Sequence, residues 1–182
     1  MAAQWRNWAG DQVCTPAALE RPSSVGEVAE VVGRSDQVRV AGAGHSFTDA
    51  VLTEGTLLSL DRMNRVLDVD RSSGVVRVEA GITLGALSDE LWRHGLAFEN
   101  LGDIDVQSIA GATATGTHGT GSKLPNLSAA LQSIELVTAD GSTVELSEMG
   151  DADGWRAARV SVGALGVVTC LLYTSPSPRD RS

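Results

Sequence analysis

The chain has 182 residues, about one domain, and its 42% hydrophobic content is ordinary for a protein with a real core rather than a disordered tail. Its formal net charge of -9, with Lys123 the single lysine, argues against nucleic acid or an anionic membrane as partner, because both reward clustered Lys and Arg. Cys14 and Cys170 make no disulfide framework, no basic-then-apolar leader opens the chain, and no window approaches the roughly 18 apolar residues of a membrane span; a soluble protein of the reducing cytoplasm is expected.

In chain order, the first twenty residues, with Trp5, Trp8 and Pro16, read as an extended arm packed on the domain edge. Ser24 with Glu27 three residues later signals a helix start, and Val25, Val28, Val31 and Val32 give it an apolar stripe ending near Gly33. Val38 to Ala41 and Thr56 to Leu60 read as strands, and the segment between them is too short for both a turn and a crossover helix. Val66 to Val69 and Val75 to Val78 form a hairpin about Asp70-Arg-Ser-Ser-Gly74, whose Asp68, Asp70 and Arg71 read as a solvated face. Leu84, Leu87, Leu91 and Trp92 mark a second helix, stopped by Gly95, with His94 placed to complement its C-terminal dipole.

Phe98 to Leu127 is glycine-rich and mostly irregular, with a short helix over Ser108 to Thr115. Ala139-Asp-Gly141 predicts a hairpin between Leu131 to Thr138 and Ser142 to Leu146. A helical turn at Asp153 to Ala158 and a small-residue turn over 161–166 lead into a last strand. That strand is expected to break after Thr169, where Cys170-Leu-Leu-Tyr-Thr-Ser-Pro-Ser-Pro-Arg-Asp180 resembles, residue for residue, a translated transposon-type sequencing adapter. On this reading residues 1–169 are the incomplete domain and 170–182 a non-native tail.

Two stretches carry chemistry. Arg39-Val-Ala-Gly-Ala-Gly-His-Ser-Phe47 runs a short strand into Gly42 and Gly44, where a backbone without Cβ can turn tightly and bring N–H groups against a bulky anion such as pyrophosphate, with His45 at the lip. Ser108-Ile-Ala-Gly-Ala-Thr-Ala-Thr-Gly-Thr-His-Gly-Thr-Gly121 puts glycines, hydroxyls and His118 in one uncharged run that is costly to order without a ligand. Taken alone, the first stretch also fits a plain strand-ending turn with a surface histidine, and His118 a satisfied loop histidine. A Rossmann fingerprint with Asp61 as the ribose acid fails because Phe47 stands where the third glycine belongs. No metal-ligand spacing joins His45, His118, Asp103 and Asp105, and Ser46 lacks the GxSxG context of a hydrolase.

Val40-Ala-Gly-Ala-Gly-His-Ser-Phe-Thr-Asp49, Asn64-Arg-Val-Leu-Asp-Val-Asp70, Glu99-Asn-Leu-Gly-Asp103, Gly111-Ala-Thr-Ala-Thr-Gly-Thr-His-Gly119 and Ala157-Ala-Arg-Val-Ser-Val-Gly-Ala-Leu-Gly-Val-Val168 together resemble the sugar-lactone branch of the vanillyl-alcohol-oxidase flavoproteins. Within that branch they are most similar to L-gulono-1,4-lactone and D-arabinono-1,4-lactone oxidases or dehydrogenases. The resemblance implies an α+β, PCMH-type FAD-binding domain of two subdomains, followed by a substrate domain that this chain lacks. It implies flavin contacts at Ala41, Gly42, Ala43, Gly44, His45, Ser46 and Phe47, at Ser108, Gly111, Thr115, Gly116, Thr117 and His118, and at Gly166, Val167 and Val168, with Asp103 beside the flavin ring. His45 matches a histidine that bonds covalently to the flavin in many members, which needs a neutral imidazole. The implied reaction oxidises a sugar lactone, with oxygen or another acceptor taking the electrons; an alditol oxidase acting on open-chain polyols and a non-catalytic nucleotide-binding module are the alternatives.

Overall fold

In a computed structural model, which describes residues 3–176, the chain begins with a short antiparallel pair, β1 (Trp5–Arg6) and β2 (Val13–Cys14), followed by β3 (Ala18–Glu20). The arm expected at the N-terminus is therefore a small hairpin. Helix α1 (Val25–Arg34) follows, then β4 (Val38–Ala41) and β5 (Thr56–Ser59). Ser24 Oγ accepts from Glu27 N at 3.2 Å, which satisfies one of the first donors of α1, and the Glu27 carboxylate accepts from Ser23 N, just before the cap, at 2.8 Å. Val28, Val31 and Val32 on the same helix face are buried.

The three short strands form a parallel sheet in the order β3-β5-β4, with α1 linking its two edges. Between β4 and β5 the chain crosses without a helix: residues 42–55 are irregular. This matches the limit on length, and it leaves the glycine-rich turn free at the strand ends instead of locked beneath a crossover helix.

The rest builds a larger antiparallel sheet. Its elements are β6 (Val66–Asp70), β7 (Val75–Glu79), α2 (Leu84–Arg93), α3 (Ile109–Ala114), a 3-10 turn at Leu127–Ala130, β8 (Leu131–Val137), β9 (Thr143–Ser147), α4 (Ala152–Arg159) and β10 (Val167–Thr174). The strand order is β6-β7-β10-β8-β9, so both predicted hairpins form and β10 slots between them. The break expected after Thr169 comes five residues late. Residues 170–174 pair with β7 on one side and β8 on the other, and Leu171 and Tyr173 are buried in the core. The reason is plain in the side-chain alternation: Thr169, Leu171 and Tyr173 point to one face, so the strand has a packing surface whatever the origin of its sequence. Residues 177–182, the remainder of the stretch read as a tail, lie outside the described residues.

The two sheets share one core, in which Val28 and Leu58 of the smaller unit join Leu84, Leu87, Ile109 and Leu136 of the larger. The architecture is α+β in two subdomains, as expected. Glu79, at the end of β7, is a buried charge that ties this strand to the start of β6. Its carboxylate accepts from Arg65 N at 2.9 Å, Arg65 Nε at 3.1 Å and an Arg65 guanidinium nitrogen at 2.7 Å. Burial pushes the pKa of this carboxyl up, but the bonds from Arg65 outweigh it and hold the group below the usual carboxylate range.

A depressed folded-state pKa means stability that is fully present above the unfolded value of about 4.3 and lost as pH falls through the folded value. Glu79→Gln is therefore expected to lower unfolding free energy by about 1–3 kcal/mol at pH 7. The gap to wild type should close progressively below about pH 4.3. Urea unfolding across a pH series measures both, and a gap independent of pH would contradict the assignment.

Candidate functional site

A groove of about 270 Å³ opens between the two sheets. One wall is the end of β4 and its glycine turn, Val40 to Ser46, together with Ser59, Leu60 and Asp61 after β5. The other is Ala80 and Gly81 after β7, Thr83, Ser108, Gly111 and Thr115 around α3, and Gly166 and Val168 at the start of β10. The two glycine-rich stretches, some sixty residues apart in the chain, meet at its floor. A Cβ on Gly42 would stand 2.5 Å from Ser108 Oγ and 3.9 Å from Gly111 Cα. Ser108 cannot easily withdraw, because its Oγ accepts from Gly111 N at 3.3 Å and starts α3.

Of the residues singled out in the sequence, Ala41, Gly42, Ala43, Gly44, His45, Ser46, Ser108, Gly111, Thr115, Gly166 and Val168 line this groove. The others do not. Phe47 turns outward and sets its ring edge-on to Trp8, centroids 6.0 Å apart. Val167 is buried in the core opposite Val137, since strand alternation sends it away from the face that Val168 presents. Gly116, Thr117 and His118 follow α3 beyond the groove: Thr117 N donates to Ala112 O, and His118 Nδ1 lies 2.7 Å from Gly119 O. Asp103 is exposed on the loop before α3 and also stands outside the lining.

Several lining residues escaped the sequence reading. Gly81 had a signal in hindsight: it ends a strand, and a Cβ there would fall 1.9 Å from Leu60 O. Val162 and Gly163 sit in the small-residue turn before β10, where Val162 adopts φ 51, unusual for a β-branched residue. Asp61 was weighed only as part of a fingerprint that fails. It lines the groove and is ion-paired with Arg21, whose hydrogen bond holds the carboxyl below its ordinary range.

Among the described residues, Asp61 is the one carboxylate of the lining, and no Lys or Arg lines the groove. An anionic ligand would therefore depend on main-chain donors. Gly44 has φ +71, which sharpens the turn, and the N–H groups of Ala43, Gly44, His45, Ser46 and Phe47 donate to no other described residue. Among the described residues no three His, Cys, Asp or Glu side chains gather as a metal site would need.

Residues 16–147 match the family described as FAD binding domain. The chain belongs to that family. Among its relatives, L-gulono-1,4-lactone dehydrogenase of Mycobacterium tuberculosis is 50% identical over 173 residues, covering 93% of this chain and 40% of that protein. L-gulonolactone oxidase of Mus musculus is 43% identical over 169 residues, 91% of this chain and 38% of the relative. Alditol oxidase of a Streptomyces species is 41% identical over 174 residues, 94% and 41%. The fold superposes on 6-hydroxy-D-nicotine oxidase of Arthrobacter nicotinovorans with a TM-score of 0.81 at 25% identity, over 89% of this chain and 37% of that one. This FAD binding domain thus spans about two fifths of the length of the relatives it matches.

The approach of Gly42 to Ser108 sets a specific expectation. Gly42→Ala should cost about 1–3 kcal/mol, because the new methyl must displace the capping hydroxyl. In a Ser108→Ala background the nearest remaining contact is Ser108 Cβ at 3.7 Å, ordinary van der Waals distance, so the same change should cost much less. A double-mutant cycle by chemical unfolding reads the coupling, and strictly additive losses would mean that the two stretches do not touch.

Proposed function

We propose that the full-length protein is an FAD-dependent oxidoreductase that oxidises a secondary alcohol of an aldono-1,4-lactone, of the L-gulono or D-arabinono type. The carrying observation is the groove in which Gly42 meets Ser108, so that a turn whose main-chain N–H groups bond to no described residue and a run of small residues line one space. The names of the relatives support the substrate class.

The residues present fit FAD. Gly42 lets the two glycine-rich stretches close to a distance that a Cβ would block, and the N–H groups of Ala43 to Ser46, which bond to no described residue, suit a pyrophosphate. Ser108, Gly111, Thr115, Gly166 and Val168 would form the facing wall; Phe47, Asp103, Gly116, Thr117, His118 and Val167, off the groove lining here, would act only through neighbouring backbone or after rearrangement. When bound, the flavin supplies the two-electron acceptor for the carbinol hydride, and oxygen or another acceptor takes the electrons onward. The protein's part is to hold and orient the ring.

His45 is proposed as a covalent anchor. A C–N bond from its neutral imidazole to the flavin 8α carbon would replace one methyl C–H bond and the imidazole N–H bond; two protons would leave to solvent and two electrons would pass to the same terminal acceptor. His45 is a lining residue of the groove, as that bond requires.

A groove of about 270 Å³ falls below the roughly 300–1,000 Å³ typical of ligand sites. The missing wall and the groups that grip the sugar are assigned to the three fifths of the relatives' length not matched here. This fragment alone is expected to bind FAD weakly and not to turn over. We further assign residues 170–182 to adapter-derived sequence standing in for the native continuation of β10. Cys14, the one cysteine outside that tail, is a free thiol and fits a reducing compartment, and no helix among the described residues is long and apolar enough to cross a membrane.

Purified full-length protein should show flavin absorbance, keep it on the polypeptide after acid precipitation, and lose that acid-stable colour in His45→Ala. Turnover should favour gulonolactone or arabinonolactone over xylitol; the reverse order would favour an alditol oxidase, the reading that the Streptomyces relative supports. A colourless protein with no flavin affinity would leave the non-catalytic nucleotide-binding module.

A further inference from the structure

His45 lines the groove, yet neither of its ring nitrogens bonds to another described residue. Its one recorded side-chain partner is Trp8, whose ring stacks on the imidazole with centroids 4.9 Å apart and an interplanar angle of 27°. Trp8 is not part of the groove lining. It therefore touches the histidine from outside the groove.

The hairpin that carries Trp8 is tied to the backbone on both sides of His45. Trp8 N donates to Gly44 O at 3.0 Å, and Asn7 Nδ2 donates to Ser46 O at 2.8 Å. Asn7 is itself buried, and its remaining valences are used within the hairpin: Nδ2 also reaches Asp11 Oδ1 at 2.7 Å, and Oδ1 accepts from Gln12 N at 3.0 Å. Phe47 also meets the indole edge-on. The segment 44–46 is thus fixed at each end by hydrogen bonds and in the middle by a ring, while both imidazole nitrogens stay free to take a new partner.

We infer that Trp8 is a positioning residue that holds the His45 imidazole in the orientation its attachment to the flavin requires. This rests on the covalent anchor proposed above. A side chain with two rotatable bonds and no hydrogen bond would otherwise sample several rotamers, and misplacement of a reacting atom by about 1 Å can cost roughly a hundredfold in rate. The stack removes that freedom without consuming a nitrogen.

The test uses full-length protein loaded with FAD and follows acid-stable flavin on the polypeptide with time in wild type, Trp8→Leu and Trp8→Phe. Trp8 is 63% exposed, so replacing it should leave the fold intact, and leucine keeps apolar bulk while losing the stack. Trp8→Leu is expected to slow attachment roughly ten- to a hundredfold at unchanged reversible flavin affinity and melting temperature, and Trp8→Phe to restore it. In flavin-free protein, the His45 ring-proton resonances should carry an aromatic ring-current shift that Trp8→Leu removes and Trp8→Phe retains. Attachment by Trp8→Leu at the wild-type rate, or His45 resonances indifferent to that change, overturns the role of Trp8. Flavin held only reversibly by wild type overturns the anchor, and this role with it, while the resonances still report whether the stack exists.

Discussion

The close approach of Gly42 to the Ser108 hydroxyl is the constraint around which the molecule is arranged. It brings the end of a parallel strand in the smaller subdomain against the cap of a short helix in the larger one, at a distance that no side chain at position 42 could share. Two sheets of different type can be joined over a common apolar core in many ways. Only a join that aligns these two strips of bare backbone produces a groove walled by N–H groups and small residues. The core makes the subdomains stay together, and this contact decides which surfaces face each other.

What lies behind the groove serves the same arrangement. Gly81 passes so near Leu60 O that the strand ends of the two sheets cross without side chains between them. Glu79, two residues earlier, closes the loop after β5 by collecting three donors from Arg65. Burial of a carboxylate is unfavourable on its own, and here it is offset because all three donors come from one residue already held by a ladder bond from Glu79 N to Arg65 O. The irregular crossover at 42–55 has the opposite character: exposed, tied at few points, and dependent on the N-terminal hairpin for its shape.

Local signals were legible where they are strong in physics. The valine stripe of α1, the leucine stripe of α2, the Asp-Gly turn between β8 and β9 and the polar turn between β6 and β7 each appear where their periodicity or turn chemistry puts them. The candidate site was legible at its glycines, because bare backbone has few other uses. Non-local facts were not. Nothing in Trp8 says that it will stack on His45, since that depends on a hairpin whose strands are two residues each. Val167 and Val168 look alike in the sequence and face opposite ways once β10 is in register. Residues 170–174 were judged by what their codons resemble, whereas a strand forms on alternation and available neighbours.

The electrostatics follow from the same economy of side chains. A protein of net charge -9 repels an anionic ligand at long range, and its groove adds Asp61 with no lysine or arginine facing inward. Arg21 cancels most of the field of Asp61 by direct pairing, which also keeps that carboxylate ionised and acceptor-only. A long-range attraction would be screened within about 8–10 Å at physiological salt in any case, so it is the short-range donors that decide binding. Main-chain N–H groups in a fixed turn act at contact distance and pay no side-chain entropy to do so. Under the proposed assignment, a groove built this way would select ligands by the shape of their anionic bridge rather than by their total charge, which is what a dinucleotide with one pyrophosphate asks of its site.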